Sequence, residues 1–132
     1  MKLKSLPLFA VILSTLTGFV PAAAQAQEVR PILVQNSCNR PIRLWINHAD
    51  GYHNWHPHGE FTIGAYASNY LEANRIRLSQ RTDHDLYFHA ETLNGATTWQ
   101  GSQSTVVIGY RLPMRVMSYN LRYAAYYVEL TC

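Results

Sequence analysis

The residues of this sequence that are best suited to chemistry are concentrated between His48 and Glu60. This segment of thirteen residues holds four of the six histidines of the chain, together with one tryptophan and two acids. Neutral imidazole is a good ligand for Cu(II), Zn(II) and Ni(II). In an extended chain His56 and His58 project to the same side. We therefore interpret the segment as a loop that carries either a binding surface or a metal site.

The leading interpretation is a non-enzymatic binding module without a cofactor. Rigid amphipathic rings lose little conformational entropy when they bind a ligand, so aromatic residues and histidines suit this role. The candidate binding residues of the segment are Tyr52, Trp55, His56 and His58. Outward-facing aromatic residues on predicted strands offer a further platform for a sugar or a peptide, unless the sheet is packed on both faces or the partner is another copy of the chain. These residues are Trp45, Tyr87 and Tyr127.

A periplasmic Cu- or Zn-binding protein is the first alternative. A carboxylate beside a ligating histidine is a common arrangement, and Asp83-His84-Asp85 offers it in a second segment. None of the strict zinc spacings is present, so this interpretation depends on how the chain folds. The candidate ligands are His48, His53, His56, His58 and His84.

The second alternative is a small hydrolase, or an inhibitor of one. The sequence contains no His-Glu-x-x-His, no Gly-x-Ser-x-Gly and no glycine-rich phosphate loop. Its eight acids offer carboxylate pairs, but acid–base catalysis requires a geometry that the sequence does not give. A deep pocket lined by two carboxylates would favour a hydrolase, and an exposed convex loop would favour an inhibitor.

Strands are the elements that must position these residues. Residues 41–48 alternate, with Ile42, Leu44 and Ile46 on one side, as in a half-buried strand. Turn signals such as Asp50-Gly51 separate the strands. Further strands are predicted at 29–35, 75–78, 86–91, 105–108, 111–119 and 123–131. This pattern predicts an all-β fold, an antiparallel β-sandwich or small barrel of about seven or eight strands, formed by one domain over 27–132.

Residues 1–26 have the three parts of a Sec-type signal peptide. Lys2 and Lys4 precede an apolar stretch at 6–20, and small residues follow up to Ala26, where we predict cleavage, with Ala24 as the alternative. About 15 apolar residues are too few to span a bilayer comfortably, so no stable membrane insertion is expected after cleavage. The sequence thus predicts a secreted or periplasmic protein.

Cleavage changes the charge of the protein, because both lysines of the chain lie in the signal peptide. Nine arginines then face eight acids, which leaves a net charge of +1. Nucleic-acid binding requires a basic stripe that neutralises phosphates, and this balance excludes it. The expected partner is an extracytoplasmic protein or a small ligand.

The two cysteines, Cys38 and Cys132, lie near the two ends of the mature chain. An even number of cysteines in an oxidising compartment predicts a disulfide. This bond would hold the C-terminal strand beside the first strand. A free catalytic Cys38 would require Cys132 to stay unpaired, which an oxidising compartment disfavours.

Five short motifs occur in order along the chain. They are Val34-Gln-Asn-Ser-Cys-Asn-Arg-Pro-Ile-Arg43, Asp50-Gly-Tyr52, Trp55-His-Pro-His-Gly-Glu60, Leu86-Tyr-Phe-His-Ala-Glu-Thr92 and Trp99-Gln-Gly101. Together they resemble a family of small secreted bacterial proteins known only as a domain of unknown function, although His58 interrupts that family's Pro-Gly-Glu. The resemblance implies a secreted β-sandwich-like domain and brings no activity, ligand or catalytic residue.

Overall fold

The structure, a computed structural model, describes residues 28–52 and 54–132, which form thirteen β-strands and no helix. The predicted signal peptide and His53 lie outside the described residues. Seven strands have five residues or more: β1 (Val29–Asn36), β2 (Ile42–Ala49), β3 (Trp55–Ile63), β8 (Leu86–Thr92), β10 (Gln103–Val107), β11 (Tyr110–Met117) and β13 (Ala125–Leu130). Six are shorter: β4 (Ser68–Tyr70), β5 (Glu72–Ala73), β6 (Ile76–Arg77), β7 (Ser79–Arg81), β9 (Thr98–Trp99) and β12 (Tyr119–Asn120).

The strands form two sheets that pack as a sandwich-like half-barrel. The first sheet has the order β12-β13-β1-β4, with β7 also paired to β1, and the second has the order β10-β11-β8-β2-β3, with β9 paired to β8. Strands β5 and β6 make a separate ribbon. The predicted all-β fold is confirmed. The pairing is antiparallel except between β1 and β13, which are parallel.

The core lies between the two sheets, where the alternation predicted from the sequence places it. Ile42, Leu44 and Ile46 of β2 are fully buried, as are Ile32 and Val34 of β1. Burying one such side chain stabilises the fold by about 1.5–3 kcal/mol. The opposite face of β2 and β8, which we call the outer face, points away from this core.

The predicted disulfide is confirmed. Cys38 follows β1, Cys132 follows β13, and their Cα atoms lie 5.2 Å apart across a sequence separation of 94 residues. Ile32 to Asn36 pair in parallel with Tyr126 to Leu130, so the bond does hold the last strand beside the first. A disulfide of this kind indicates an oxidising, extracytoplasmic compartment. Among the described residues, no helix is long and apolar enough to cross a membrane.

The motif Asn36-Ser-Cys38 has a structural explanation in the turn that leads to the disulfide. The fully buried Asn36 side chain accepts a hydrogen bond from the Cys38 amide at 2.8 Å and donates to the Arg40 and Gly64 carbonyls, each at 2.9 Å. A buried backbone group without a partner would destabilise the fold by about 1–3 kcal/mol. Asn36 therefore fixes the turn beside the cysteine.

The second sheet curls, so that the hairpin of β10 and β11 folds over the outer face of β2 and β8. This brings β10 close to β3, at the other end of the strand order, without hydrogen bonds between them. Val107 and Met114 are fully buried although neither belongs to the main core. The curl thus encloses a second, smaller interior on the outer face.

The interpretation of residues 48–60 as a loop is wrong. His48 and Ala49 end β2, a short turn follows, and residues 55–60 belong to β3. Leu44 pairs with Phe61 whereas Ile46 pairs with His58, so Gly59 and Glu60 together oppose Trp45 in a β-bulge. The extra residue shifts the alternation of β3 out of phase, and the sequence therefore gives no regular period-two pattern there.

The bulge permits close packing of Trp45 on Gly59, and this gives a testable prediction. A Cβ atom at Gly59 would lie 2.0 Å from Trp45 Cδ1. We expect Gly59→Ala to lower the free energy of unfolding by about 2 kcal/mol, because the indole must move. Urea denaturation measures the change. Gly64→Ala is the matched control, because its Cβ would lie 3.8 Å from the nearest atom; equal effects of both variants would contradict the packing.

Candidate functional site

Three of the candidate histidines come together on the inner face of the β2–β3 hairpin. His48 pairs directly with His56, and His58 pairs with Ile46, so all three rings stand on the face that carries the core. The centroid of the His48 ring lies 5.4 Å from that of His56 and 5.0 Å from that of His58. The three rings line a cavity of about 320 Å³, whose other wall is formed by residues 73 and 76–79.

His48 is the buried member of this histidine cluster. Its Nδ1 donates a hydrogen bond of 2.7 Å to the Ser79 carbonyl, whereas Nε2 is buried and has no partner among the described residues. Burial lowers the pKa of His48 to about 4, and burial followed by the nearby His56 lowers the pKa of His58. His48, the buried histidine of the cluster, is therefore held in its neutral form.

Asp50 anchors the turn that joins the two strands. Its carboxylate accepts hydrogen bonds from the backbone amides of Tyr52 and Asn54 and lies 2.7 Å from His56 Nε2. Partial burial raises the pKa of Asp50, but the hydrogen bonds from His56 and the two amides together lower the pKa to about 2. This contact fixes the orientation of the His56 ring.

The metal-ligand set predicted from the sequence does not assemble as a whole. The ring of His84 stacks at 5.8 Å on Trp55, which lies on the face of β3 opposite His56. His53 lies outside the described residues. Within 28–52 and 54–132, no group of three or more His, Cys, Asp or Glu side chains is placed to hold a metal ion.

The predicted binding set is likewise divided between two faces. His56 and His58 face inward, whereas Trp55 faces outward and stacks at 6.3 Å on Tyr87. Trp55 is 43 % exposed and Tyr52, on the turn, is 68 % exposed. These aromatic rings form an exposed ledge at the tip of the hairpin, separate from the histidine cluster.

A third feature, which the sequence did not single out, lies inside the curl of the second sheet. It is a cavity of about 430 Å³ between the outer face and the β10–β11 hairpin. We call it the Arg43 cleft and define it by its lining residues, Arg43, Trp45, Glu60, Glu91, Tyr110 and their neighbours Ile108 and Leu112. Aromatic and aliphatic walls thus surround three charged groups.

Arg43 organises the charges of the cleft. Its Nη2 forms a close ion pair with Glu91, and its Nε lies 3.9 Å from Glu60 Oε1, which is too long for a hydrogen bond. Neither Arg43 Nε nor Nη1 has a hydrogen-bond partner among the described residues. The cleft therefore offers an unused guanidinium donor close to the Glu60 carboxylate.

Trp45 forms the base of the cleft and is held from several sides. Gly59 lies against its indole, the Arg43 guanidinium lies 5.8 Å from the ring centroid, and the His89 ring lies 5.6 Å away. His89 donates from Nδ1 to the Pro113 carbonyl at 2.8 Å, which links β8 to β11 behind the indole. Rings held in this way need little reordering when a ligand binds.

The turn at the mouth of the cleft is strained. Ile108 has φ 50° and Gly109 has φ 79°, as a two-residue hairpin turn requires between Val107 and Tyr110. A β-branched residue rarely adopts positive φ, and Asn is the usual residue at this position. Ile108 is nevertheless 70 % exposed and lines the cleft. Backbone strain of this kind concentrates at functional sites.

No known protein family, no curated protein and no solved structure matches this chain. The resemblance to a family of small secreted proteins therefore stays a prediction from the motifs.

Proposed function

We propose that this protein is an exported, non-enzymatic domain that binds a small ligand in the Arg43 cleft. The observation that carries the proposal is a cavity of about 430 Å³ in which aromatic walls enclose three charged side chains. Ligand pockets typically have about 300–1,000 Å³, apolar and aromatic walls and a few convergent polar groups. The binding role predicted from the sequence is thus kept, but its location moves from the hairpin tip to the cleft.

Export is proposed on two grounds. The disulfide between Cys38 and Cys132 requires an oxidising compartment to persist. Residues 1–26 have the pattern of a cleavable signal peptide. Both suit a protein that meets its ligand in the periplasm or outside the cell.

A hydrolase is the second candidate, because the cleft is lined by two carboxylates, Glu60 and Glu91. Acid–base hydrolysis needs one carboxyl that donates a proton. Here Glu91 is already engaged in a close ion pair with Arg43, so only Glu60, 3.9 Å from Arg43 Nε, is left to contact a substrate. This arrangement favours binding over catalysis.

A screen for ligands by NMR tests the proposal. We expect members of a panel of small neutral, cationic and anionic compounds to shift the indole signal of Trp45 while leaving that of Trp55 unchanged. Tyr110→Ala should weaken binding about tenfold, because a buried aromatic contact contributes about 1–2 kcal/mol. Tyr52→Ala is the matched control, since both tyrosines are 68 % exposed.

A second variant separates a loss of binding from a loss of folding. Ile108→Asn should relieve strain and raise the free energy of unfolding by about 1 kcal/mol, while it removes an apolar wall of the cleft and weakens binding. A screen without any shift at Trp45 would overturn the proposal. So would binding that depends on Tyr52 and Trp55 instead, because it would place the site on the ledge at the hairpin tip.

A further inference from the structure

We infer that the ligand of the Arg43 cleft is an uncharged saccharide; this inference rests on the proposed function and specifies its ligand class. Three observations carry it: the hydrogen-bonding groups that the cleft leaves unused, the balance of its charges and the position of its aromatic rings.

The unused hydrogen-bonding groups of the cleft match a hydroxyl. Among the described residues, Arg43 Nη1 donates to no acceptor, and the Glu60 carboxylate has no hydrogen bond and no ion pair besides the 3.9 Å approach of Arg43 Nε. The Glu60 side chain is 43 % exposed and so can reach a ligand. A hydroxyl group donates one hydrogen bond and accepts others. One or two adjacent hydroxyls can therefore donate to Glu60 and accept from Arg43.

The charges of the cleft disfavour an anionic ligand. One guanidinium stands against two carboxylates, so an anion drawn to Arg43 meets Glu60 and Glu91 on either side. Like charges at short distance inside a cleft repel strongly, because the protein screens them less than water does. An ammonium group can pair with Glu60, but it has no lone pair and cannot accept a hydrogen bond from Arg43. A neutral hydroxyl avoids the repulsion and can serve both groups.

The aromatic rings give the cleft an apolar surface on which a ligand can pack. Trp45 and Tyr110 line the same cavity as the charged groups. The ring of a sugar presents an apolar face of C–H groups, which packs on an aromatic ring, and hydroxyls at its edge. A volume of about 430 Å³ suits one or two sugar rings. A saccharide therefore uses the aromatic and the polar lining at the same time.

A matched series of sugars tests this inference on the mature protein with its disulfide intact. Glucose, galactose, mannose and N-acetylglucosamine, and their disaccharides, would be titrated while the Trp45 indole signal is followed by NMR. Glucosamine and glucuronate supply a cationic and an anionic counterpart of the same ring. We expect at least one neutral sugar to bind at least about tenfold more tightly than its charged counterparts.

Glu60→Gln tests the role of the carboxylate. It keeps the shape of the side chain but replaces a charged acceptor by a neutral one, and we expect affinity for the neutral sugar to fall about tenfold. Glu72→Gln, on the exposed strand β5, is the matched control and should leave affinity unchanged. Equal affinities of the two variants would overturn the assignment of Glu60.

The outcomes separate the ligand class from the site. If glucosamine or glucuronate binds more tightly than every neutral sugar, the inference is wrong although the cleft remains a binding site. If no sugar shifts the Trp45 signal but other compounds of the broad panel do, the inference fails and the proposed function stands. If nothing shifts that signal, both fail.

Discussion

Replacing both cysteines by alanine is expected to lower the free energy of unfolding by about 4–5 kcal/mol. Cys38 and Cys132 are 94 residues apart in sequence, and a crosslink over so long a loop removes much conformational entropy from the unfolded chain. The pairing of β1 with β13 joins the two ends of the domain, so without the bond the whole chain must close this contact. Small domains are stable by only about 5–15 kcal/mol in total.

Urea denaturation of the double variant, beside the oxidised and the reduced protein, measures this effect. The reduced protein should behave like the double variant, because both lose the same constraint. A difference below about 1 kcal/mol between the oxidised protein and both others would contradict the expectation, since it would mean that the unfolded chain is already compact. The double variant leaves no unpaired thiol, which keeps aggregation through new disulfides out of the comparison.

Acidification is expected to lower the free energy of unfolding by about 3 kcal/mol through His48 alone. Burial lowers the pKa of this residue from 6.5 to about 4. The unfolded chain therefore takes up a proton as the pH falls through 6.5, whereas the folded protein takes it up only near pH 4. The stabilisation that depends on neutral His48 is complete above pH 6.5 and is lost as the pH falls to about 4.

The groups around His48 support this sign. His56 and His58 on β3 and Arg77 on β6 face the same cavity, and a proton on His48 would be repelled by any positive charge on them. Asp50 is the nearby carboxylate, and its pKa of about 2 keeps its own titration below the interval. Because His58 also has a pKa lowered by burial, the total loss should be at least that of His48.

His48→Asn separates this residue from the rest of the protein. The asparagine amide can donate to the Ser79 carbonyl as Nδ1 of His48 does at 2.7 Å, but it does not titrate. Urea denaturation between pH 7 and pH 4 should show a markedly smaller loss of stability in this variant. His84→Asn is the control, because that ring stacks on Trp55 away from the cluster, and it should keep the full loss. Identical pH profiles of His48→Asn and the natural protein would refute the assignment.

The hairpin of β2 and β3 shows why part of the site was predictable and part was not. Spacing alone indicated that His56 and His58 share a face, and they do, because the side chains of a strand alternate. The same alternation places Trp55 on the opposite face, but the interpretation of the segment as a loop groups all these residues into one candidate surface. The bulge at Gly59 and Glu60 hides the strand, because one inserted residue breaks the alternation that identifies it.

The Arg43 cleft could not be predicted from the sequence, for a different reason. Arg43, Glu60 and Glu91 lie on three different strands, and Tyr110 lies on a fourth. Taken one at a time, each of these residues is of a type that is ordinary on the exposed face of a strand. The outward alternation of Arg43 and Trp45 in β2, and of Glu91 in β8, was a signal that these residues share one surface. Nothing local indicated that the β10–β11 hairpin would fold back over it.

The sequence by itself therefore determined the strands with regular alternation, the all-β class, the core positions of β2 and the pairing of its only two cysteines, because each follows from local periodicity or from a count. The tertiary structure alone decided the curl of the second sheet, the division of the predicted binding residues between two faces and the meeting of Arg43, Glu60 and Glu91 in one cleft. These features depend on contacts between strands far apart in sequence, which no local pattern specifies.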